Sequence, residues 1–146
     1  MKQLSIKVNL LNKNAQIPVK SHKGDAAYDL FATQEINLKP GERKKIPCGI
    51  SLEIPEGYFG AIAPRSGLAH QYGLALVNSW GVVDSSYRGE ICVIIINLGD
   101  DEICLPPNVR IAQLLILPAI EVGFIELNEN LNDTDRGVKG FGSTGL

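Results

Sequence analysis

The chain has little of what marks a secreted, metal-centred or membrane protein. Its 146 residues include only three cysteines and two histidines. Cys48, Cys92 and Cys104 are odd in number and far apart, with no Cys-x-x-Cys pair and no histidines at metal-ligand spacing, so neither a disulfide framework nor a zinc site is expected. The thiols read as reduced and mostly packed, as in a cytoplasm. Long hydrophobic runs are missing too. The longest, residues 91–96, is far too short to cross a bilayer, and Met1-Lys2-Gln3-Leu4-Ser5 lacks the apolar core of a secretion signal, so a soluble cytoplasmic protein without a membrane partner is expected. Neither sign of charge predominates. A net charge of −2 argues against a general nucleic-acid binder, which needs a basic surface, so any phosphate site must be a local focus of cations. What is present is a 45% hydrophobic composition in a chain long enough for one core, hence one domain.

Apolar residues recur at every second position in Leu4, Ile6, Val8 and Leu10, in Ile50, Leu52 and Ile54, and in Val109 and Ile111 followed by Leu115 and Leu117. That is the period of half-buried strands. Residues 91–98 are β-branched and nearly all apolar, which predicts a strand covered on both faces. Turn signals separate these runs at Lys39-Pro40-Gly41, Pro55-Glu56-Gly57, Leu98-Gly99-Asp100-Asp101 and Pro106-Pro107-Asn108. Many short strands with such punctuation predict an all-β fold, a distorted barrel or jelly roll. Only residues 64–72 read as helix, with Ser66 as its expected cap. Residues 1–125 are read as the β body, 126–135 as a polar tether, and 136–146 as a glycine-rich arm.

Four segments carry residue types suited to nucleotide chemistry. The arm, Arg136-Gly-Val-Lys-Gly-Phe-Gly-Ser-Thr-Gly145, suits wrapping a phosphate chain: glycines let backbone N–H groups converge on an anion, Ser143 and Thr144 add hydroxyls, and Arg136 adds a two-pronged cation. Phe141 offers a plate to a nucleobase. The plain alternative is a flexible Gly/Ser end, to which Arg136, Lys139 and Phe141 would add little. In Pro64-Arg65-Ser66-Gly67, unpaired N–H groups at the start of the helix make an anion site, unless Ser66 is a cap and nothing more. Ser66 and His70 do not form a nucleophile and base, because the Gly-x-Ser-x-Gly elbow is absent.

In the third segment, residues 78–91, Val82 and Val83 run into a turn at Ser85-Ser86 and Arg88-Gly89 leads out, which predicts a hairpin. Asp84 at its mouth is either a turn residue bonding its own backbone or a base that deprotonates water. Tyr87 is either hairpin packing or the floor under a sugar, and Asn78 has the donor and acceptor needed to read a base edge. In the fourth segment, Arg110-Ile111-Ala112-Gln113-Leu114, a strict two-residue period puts Gln113 on one face with Val109, Ile111 and Leu115. An amide in such a row must find partners, either as a structural plug or by orienting a water and an oxyanion.

In this order these segments resemble the trimeric deoxyuridine triphosphatase (dUTPase) family over nearly the whole chain. Ala26-Ala27-Tyr28-Asp29-Leu30 is similar to the first family motif and Pro64-Arg65-Ser66-Gly67-Leu68-Ala69 to the second. Residues 78–90 correspond to the third, Arg110-Ile111-Ala112-Gln113-Leu114 to the fourth, and Arg136-Gly137 with Gly140-Phe141-Gly142-Ser143-Thr144-Gly145 to the fifth. The resemblance implies a homotrimeric jelly roll that hydrolyses dUTP to dUMP and pyrophosphate with Mg²⁺, keeping uracil out of DNA and supplying dUMP for dTMP synthesis. By position, Asp84 would activate the water that attacks the α-phosphorus, and Gln113 would help hold it. Asn78 and the backbone at Val83 would read uracil, and Tyr87 would lie under the deoxyribose. Arg65, Ser66 and Gly67 would bind the phosphates from a neighbouring subunit. A third subunit's arm would bring Phe141 over the base and Arg136, Gly142, Ser143 and Thr144 to the outer phosphates. The metal would be held by phosphates and water without a direct protein ligand, with Asp29 in support nearby. Trp80 and Asn108-Val109 depart from the family pattern. Two other readings compete: a dCTP deaminase of related fold, and a nucleotide-binding β module without hydrolysis.

Overall fold

The computed structural model describes residues 4–140, so the expectations for Phe141, Gly142, Ser143 and Thr144 lie outside the described residues. Eleven strands and one helix are present among them, in the order β1 Lys7–Leu10, β2 Tyr28–Phe31, β3 Ile36–Leu38, β4 Arg43–Pro47, β5 Ile50–Glu53, β6 Tyr58–Ala63, α1 Ser66–Tyr72, β7 Leu74–Leu76, β8 Gly81–Val83, β9 Cys92–Asn97, β10 Ile103–Leu105 and β11 Arg110–Pro118. All pairings between them are antiparallel. The largest sheet has the order β2-β11-β6-β8, a second has β4-β9-β7, and β1-β5 and β3-β10 form two-stranded ladders. This is the distorted jelly roll that the alternating apolar pattern predicts.

One core lies between the sheets. Leu30, Ile36, Leu38, Ile46, Ile50, Ile91, Ile95 and Ile111 are all at most 1% exposed, and each such side chain contributes about 1.5–3 kcal/mol by leaving water. Alternation holds along β5, where Ile50, Leu52 and Ile54 are buried and Glu53 is exposed. Along β1 only Ile6 and Val8 pack inward, while Leu4 and Leu10 stay exposed at its ends.

Four expectations need correction. The helix begins at Ser66, but the capping position is Arg65 and no side chain caps it, so Ser66 is free of the capping role. Residues 81–92 do not form a paired hairpin. β8 pairs with β6 and β9 with β4 and β7, so the 84–91 connection crosses from one sheet to the other, and only the turn itself closes, with the Tyr87 N–H donating to the Asp84 carbonyl at 3.1 Å. β9 is not covered on both faces: Val93 and Ile95 are buried, whereas Ile94 is 39% exposed in the single chain. Finally, Gln113 does not share a face with Ile111. A register shift between Arg110 and Ala112 buries both Ile111 and Ala112, after which Leu114 points inward and Gln113 outward beside Leu115.

Of the cysteines, Cys48 is buried, Cys92 half-buried and Cys104 exposed, so packing covers two of the three. Among the described residues the last strand is β11, ending at Pro118. Residues 119–140 are exposed throughout, including Ile120, Val122 and Phe124, and among the described residues no helix is long and apolar enough to cross a membrane.

Candidate active site

The central strand β11 explains why distant motifs meet. Gln113 pairs with Asp29 of β2 on one side and with Ala63 of β6 on the other, and β6 runs on through Pro64 to Arg65. Residues from positions 29, 65 and 113 thus reach one end of one sheet. They line a cleft of about 550 Å³ together with Ser21, Asp25, Ser66 and Gly67. The Gln113 Nε2 donates to the Pro64 carbonyl at 2.8 Å, which fixes the amide and leaves its oxygen available to the cleft.

Asp29 organises the cations here. Its Oδ1 lies 3.1 Å from Arg65 Nε, and its Oδ2 lies 3.3 Å from Arg110 and accepts a hydrogen bond from the Ser21 hydroxyl at 3.0 Å. Arg110 in turn donates to Ser21 Oγ at 2.7 Å, while Arg65 donates to the Arg110 carbonyl at 3.0 Å. A carboxylate only 8% exposed needs such partners, and two guanidinium groups need a counter-charge to sit side by side. The result is a fixed cluster of two guanidinium groups around one carboxylate, with Arg65 beside Ser66 in the cleft that Asp25 also lines. Arg110 and Ser21 were not singled out from the sequence. Arg110 lies inside the fourth motif, but only the pairing of β2 with β11 brings it to Asp29.

The third segment forms a separate cleft of about 370 Å³ lined by Asn78, Val83, Asp84, Tyr87, Lys45 and Glu90, among others. Asn78 sits in the tight connection from β7 to β8, where Ser79 takes a left-handed φ of 54° and the Trp80 N–H turns back to the Asn78 carbonyl. Gly81 permits a close approach: a Cβ there would lie 3.2 Å from Ile62 and 3.5 Å from the Asn78 amide nitrogen. Val83 is 6% exposed and packs in the core, so only its backbone is free for a ligand. Asp84 and Tyr87 are exposed, and the Tyr87 hydroxyl donates to the Glu90 carbonyl at 3.1 Å.

Asp84 and Gln113 lie at different heights along β6 and on opposite sides of it. Val83 pairs with Gly60 and Gln113 with Ala63, and β6 itself separates β8 from β11. At about 3.3 Å per residue and 4.8 Å per strand, Asp84 and Gln113 are on the order of 15 Å apart in one chain. Arg136 lines neither cleft; its Nε donates to the Lys139 carbonyl at 3.0 Å in an exposed turn where Gly137 has a φ of 53°.

A model of the dUTPase family matches residues 13–145. The chain belongs to the dUTPase family. Deoxyuridine 5′-triphosphate nucleotidohydrolases of Syntrophotalea carbinolica and Clostridium kluyveri are 46% and 45% identical to it, covering 100% and 97% of this chain and 100% and 99% of their own lengths. Among solved structures, the Staphylococcus bacteriophage 80alpha dUTPase with dUPNHPP superposes at a TM-score of 0.91 with 30% identity, over 97% of this chain and 99% of its own. A variant dUTPase from phage phi11 of S. aureus, described with a structural Mg(II) ion, superposes at 0.80 with 26% identity, over 86% of this chain and 97% of its own. The chain is thus an enzyme of the dUTP diphosphatase class. Both departures from the dUTPase pattern are accommodated. Asn108 takes the left-handed φ of 65° that a glycine would, which Asn tolerates better than most residues, and Trp80 packs edge-on against Phe59 without disturbing the β6–β8 register.

Magnesium is the metal the family resemblance implies. Among the described residues no three His, Cys, Asp or Glu side chains converge on a metal-sized space, and both oxygens of Asp29 already serve arginine and serine. Mg²⁺ keeps water and phosphate oxygens readily as ligands.

Proposed function

We propose that the protein hydrolyses dUTP to dUMP and pyrophosphate in a site shared between subunits of a homotrimer, in the cytoplasm, with Asp84 as the base. The observation that carries this reading is the exposed Asp84 carboxylate on a tight turn, in one cleft with Asn78 and Tyr87. Uracil is read by Asn78 and the backbone at Val83, and the deoxyribose rests on Tyr87. Asp84 takes a proton from a water whose oxygen attacks the α-phosphorus. The bond from that phosphorus to the bridging oxygen breaks, and pyrophosphate leaves. Gln113 contributes its amide to the water and an α-phosphate oxygen. Arg65, Ser66 and Gly67 bind the phosphate chain, and Asp29 holds Arg65 in place. Bound Mg²⁺ supplies neutralisation of the phosphate charge.

Because one chain separates Asp84 from Gln113, the reading requires them from different subunits. The arm of a third closes over the nucleotide, with Phe141 on the base and Arg136, Gly142, Ser143 and Thr144 on the outer phosphates. The biological consequence is removal of dUTP before it enters DNA, and supply of dUMP for dTMP synthesis. The test is Asp84→Asn. Pyrophosphate release from dUTP is expected to fall by about 10²–10⁴, as for loss of a general base, with binding retained in calorimetry. Unchanged turnover removes Asp84 from the chemistry.

A further inference from the structure

Tyr87 lines its cleft with its ring held against the loop that carries it. Its ring folds back over the backbone of the same loop, close enough that a Cβ on residue 89 would lie 2.3 Å from the Tyr87 Oη, 2.5 Å from Cζ and 2.9 Å from Cε2. The atoms met belong to a rigid aromatic ring, so the ring as a whole would have to swing away. Gly89 is not among the glycines with positive φ, so an alanine is not barred by backbone conformation, and space is the reason for glycine here. The backbone of the loop that carries the ring is itself braced, and the ring's hydroxyl is tied to it. Arg88 donates to the Ser85 carbonyl at 2.6 Å and to the Tyr87 carbonyl at 2.9 Å, and Glu90, whose carbonyl accepts the Tyr87 hydroxyl, is itself anchored where its carboxylate accepts the Gly49 N–H at 2.9 Å.

We propose that Gly89 is a positioning residue for sugar selection: by leaving room for the Tyr87 ring it sets the height of the floor under the sugar, and hence the discrimination between dUTP and UTP, without touching the nucleotide. This rests on the reading of Tyr87 as that floor. A ring displaced toward the cleft crowds the deoxyribose, and one displaced outward opens space for a 2′-hydroxyl. Either way the clearance that accepts a deoxyribose and rejects a 2′-hydroxyl is changed.

The test uses the full-length enzyme with Gly89→Ala, Tyr87→Ala and the double variant, each checked for folding by circular dichroism. In Gly89→Ala the ratio of kcat/KM for dUTP over UTP is expected to drop about tenfold or more, matching Tyr87→Ala. In the Tyr87→Ala background the same substitution is expected to change nothing further, since no ring is left to displace. A full additional loss there overturns the proposal, because Gly89 would then act through something other than Tyr87. Nucleotide-free spectra of ¹³C-tyrosine-labelled protein give an independent readout. The Tyr87 ring signal, assigned with Tyr87→Phe, is expected to move in Gly89→Ala, and an unmoved signal overturns the proposal. Should Tyr87→Ala leave the dUTP preference intact, the sugar-floor reading falls and the selectivity claim with it, while the ring signal still decides separately whether Gly89 positions Tyr87.

Discussion

Single carboxylates in this protein have different jobs that composition does not distinguish. Asp29 is nearly buried and binds two guanidinium groups and a hydroxyl, whereas Asp84 is exposed on a turn. Asp29→Ala is expected to cost about 1–3 kcal/mol, since two adjacent cations lose their shared partner, and the denaturation midpoint in urea should fall with little change in slope. It is also expected to raise KM for dUTP by releasing Arg65. Cys48 illustrates burial acting on a different group. Removal from water, with smaller contributions from Cys92 and Glu90, pushes its thiol up from an ordinary 9.0 to about 12. Its folded form therefore keeps a proton that the unfolded chain releases above pH 9, so this group makes the protein less stable as pH rises from 9 toward 12. At pH 8 iodoacetamide should label exposed Cys104 and leave Cys48 intact by mass spectrometry, until denaturant exposes it.

The elements were legible to the extent that their residues alternate. Ile50, Leu52 and Ile54 mark the β5 run without knowledge of any partner, because every second residue meets the core while Ser51 and Glu53 between them do not. The pattern fails where pairing interrupts it. The register shift at Arg110 moves Gln113 off the face that a strict period assigns, and β8 takes β6 rather than β9 as neighbour, so a segment that reads as a hairpin becomes a crossing between sheets. The arm is an element of a third kind: it carries residues proposed for the site, and its described residues 136–140 line neither cleft. Deleting residues 136–146 is expected to lower dUTP turnover on the order of a hundredfold, through loss of closure, while light scattering shows the assembly unchanged.

At the scale of the whole molecule the separation of two clefts by β6 becomes a prediction about assembly. Asp84→Asn and Arg65→Ala disable different clefts, and if the site is built from two subunits each inactive variant can complement the other. Mixing them after reversible dissociation is expected to restore turnover, with about a quarter of sites intact at equal proportions in a symmetric ring. A mixture as inactive as its parts refutes the shared site.

Composition and order of residues alone determined the all-β class and which side chains are equipped for phosphate and base recognition, because strand periodicity and donor or acceptor chemistry are properties of local sequence. Its likeness to a dUTPase was legible in the same residues. Only the tertiary structure decided that Asp29 binds Arg65 and Arg110, that Gln113 turns toward the cleft holding Arg65, and that Asp84 opens just past β8, across β6 from Gln113. Those outcomes depend on which strands lie side by side, and hydrogen-bonded pairing joins residues too distant in the chain for any local pattern to specify.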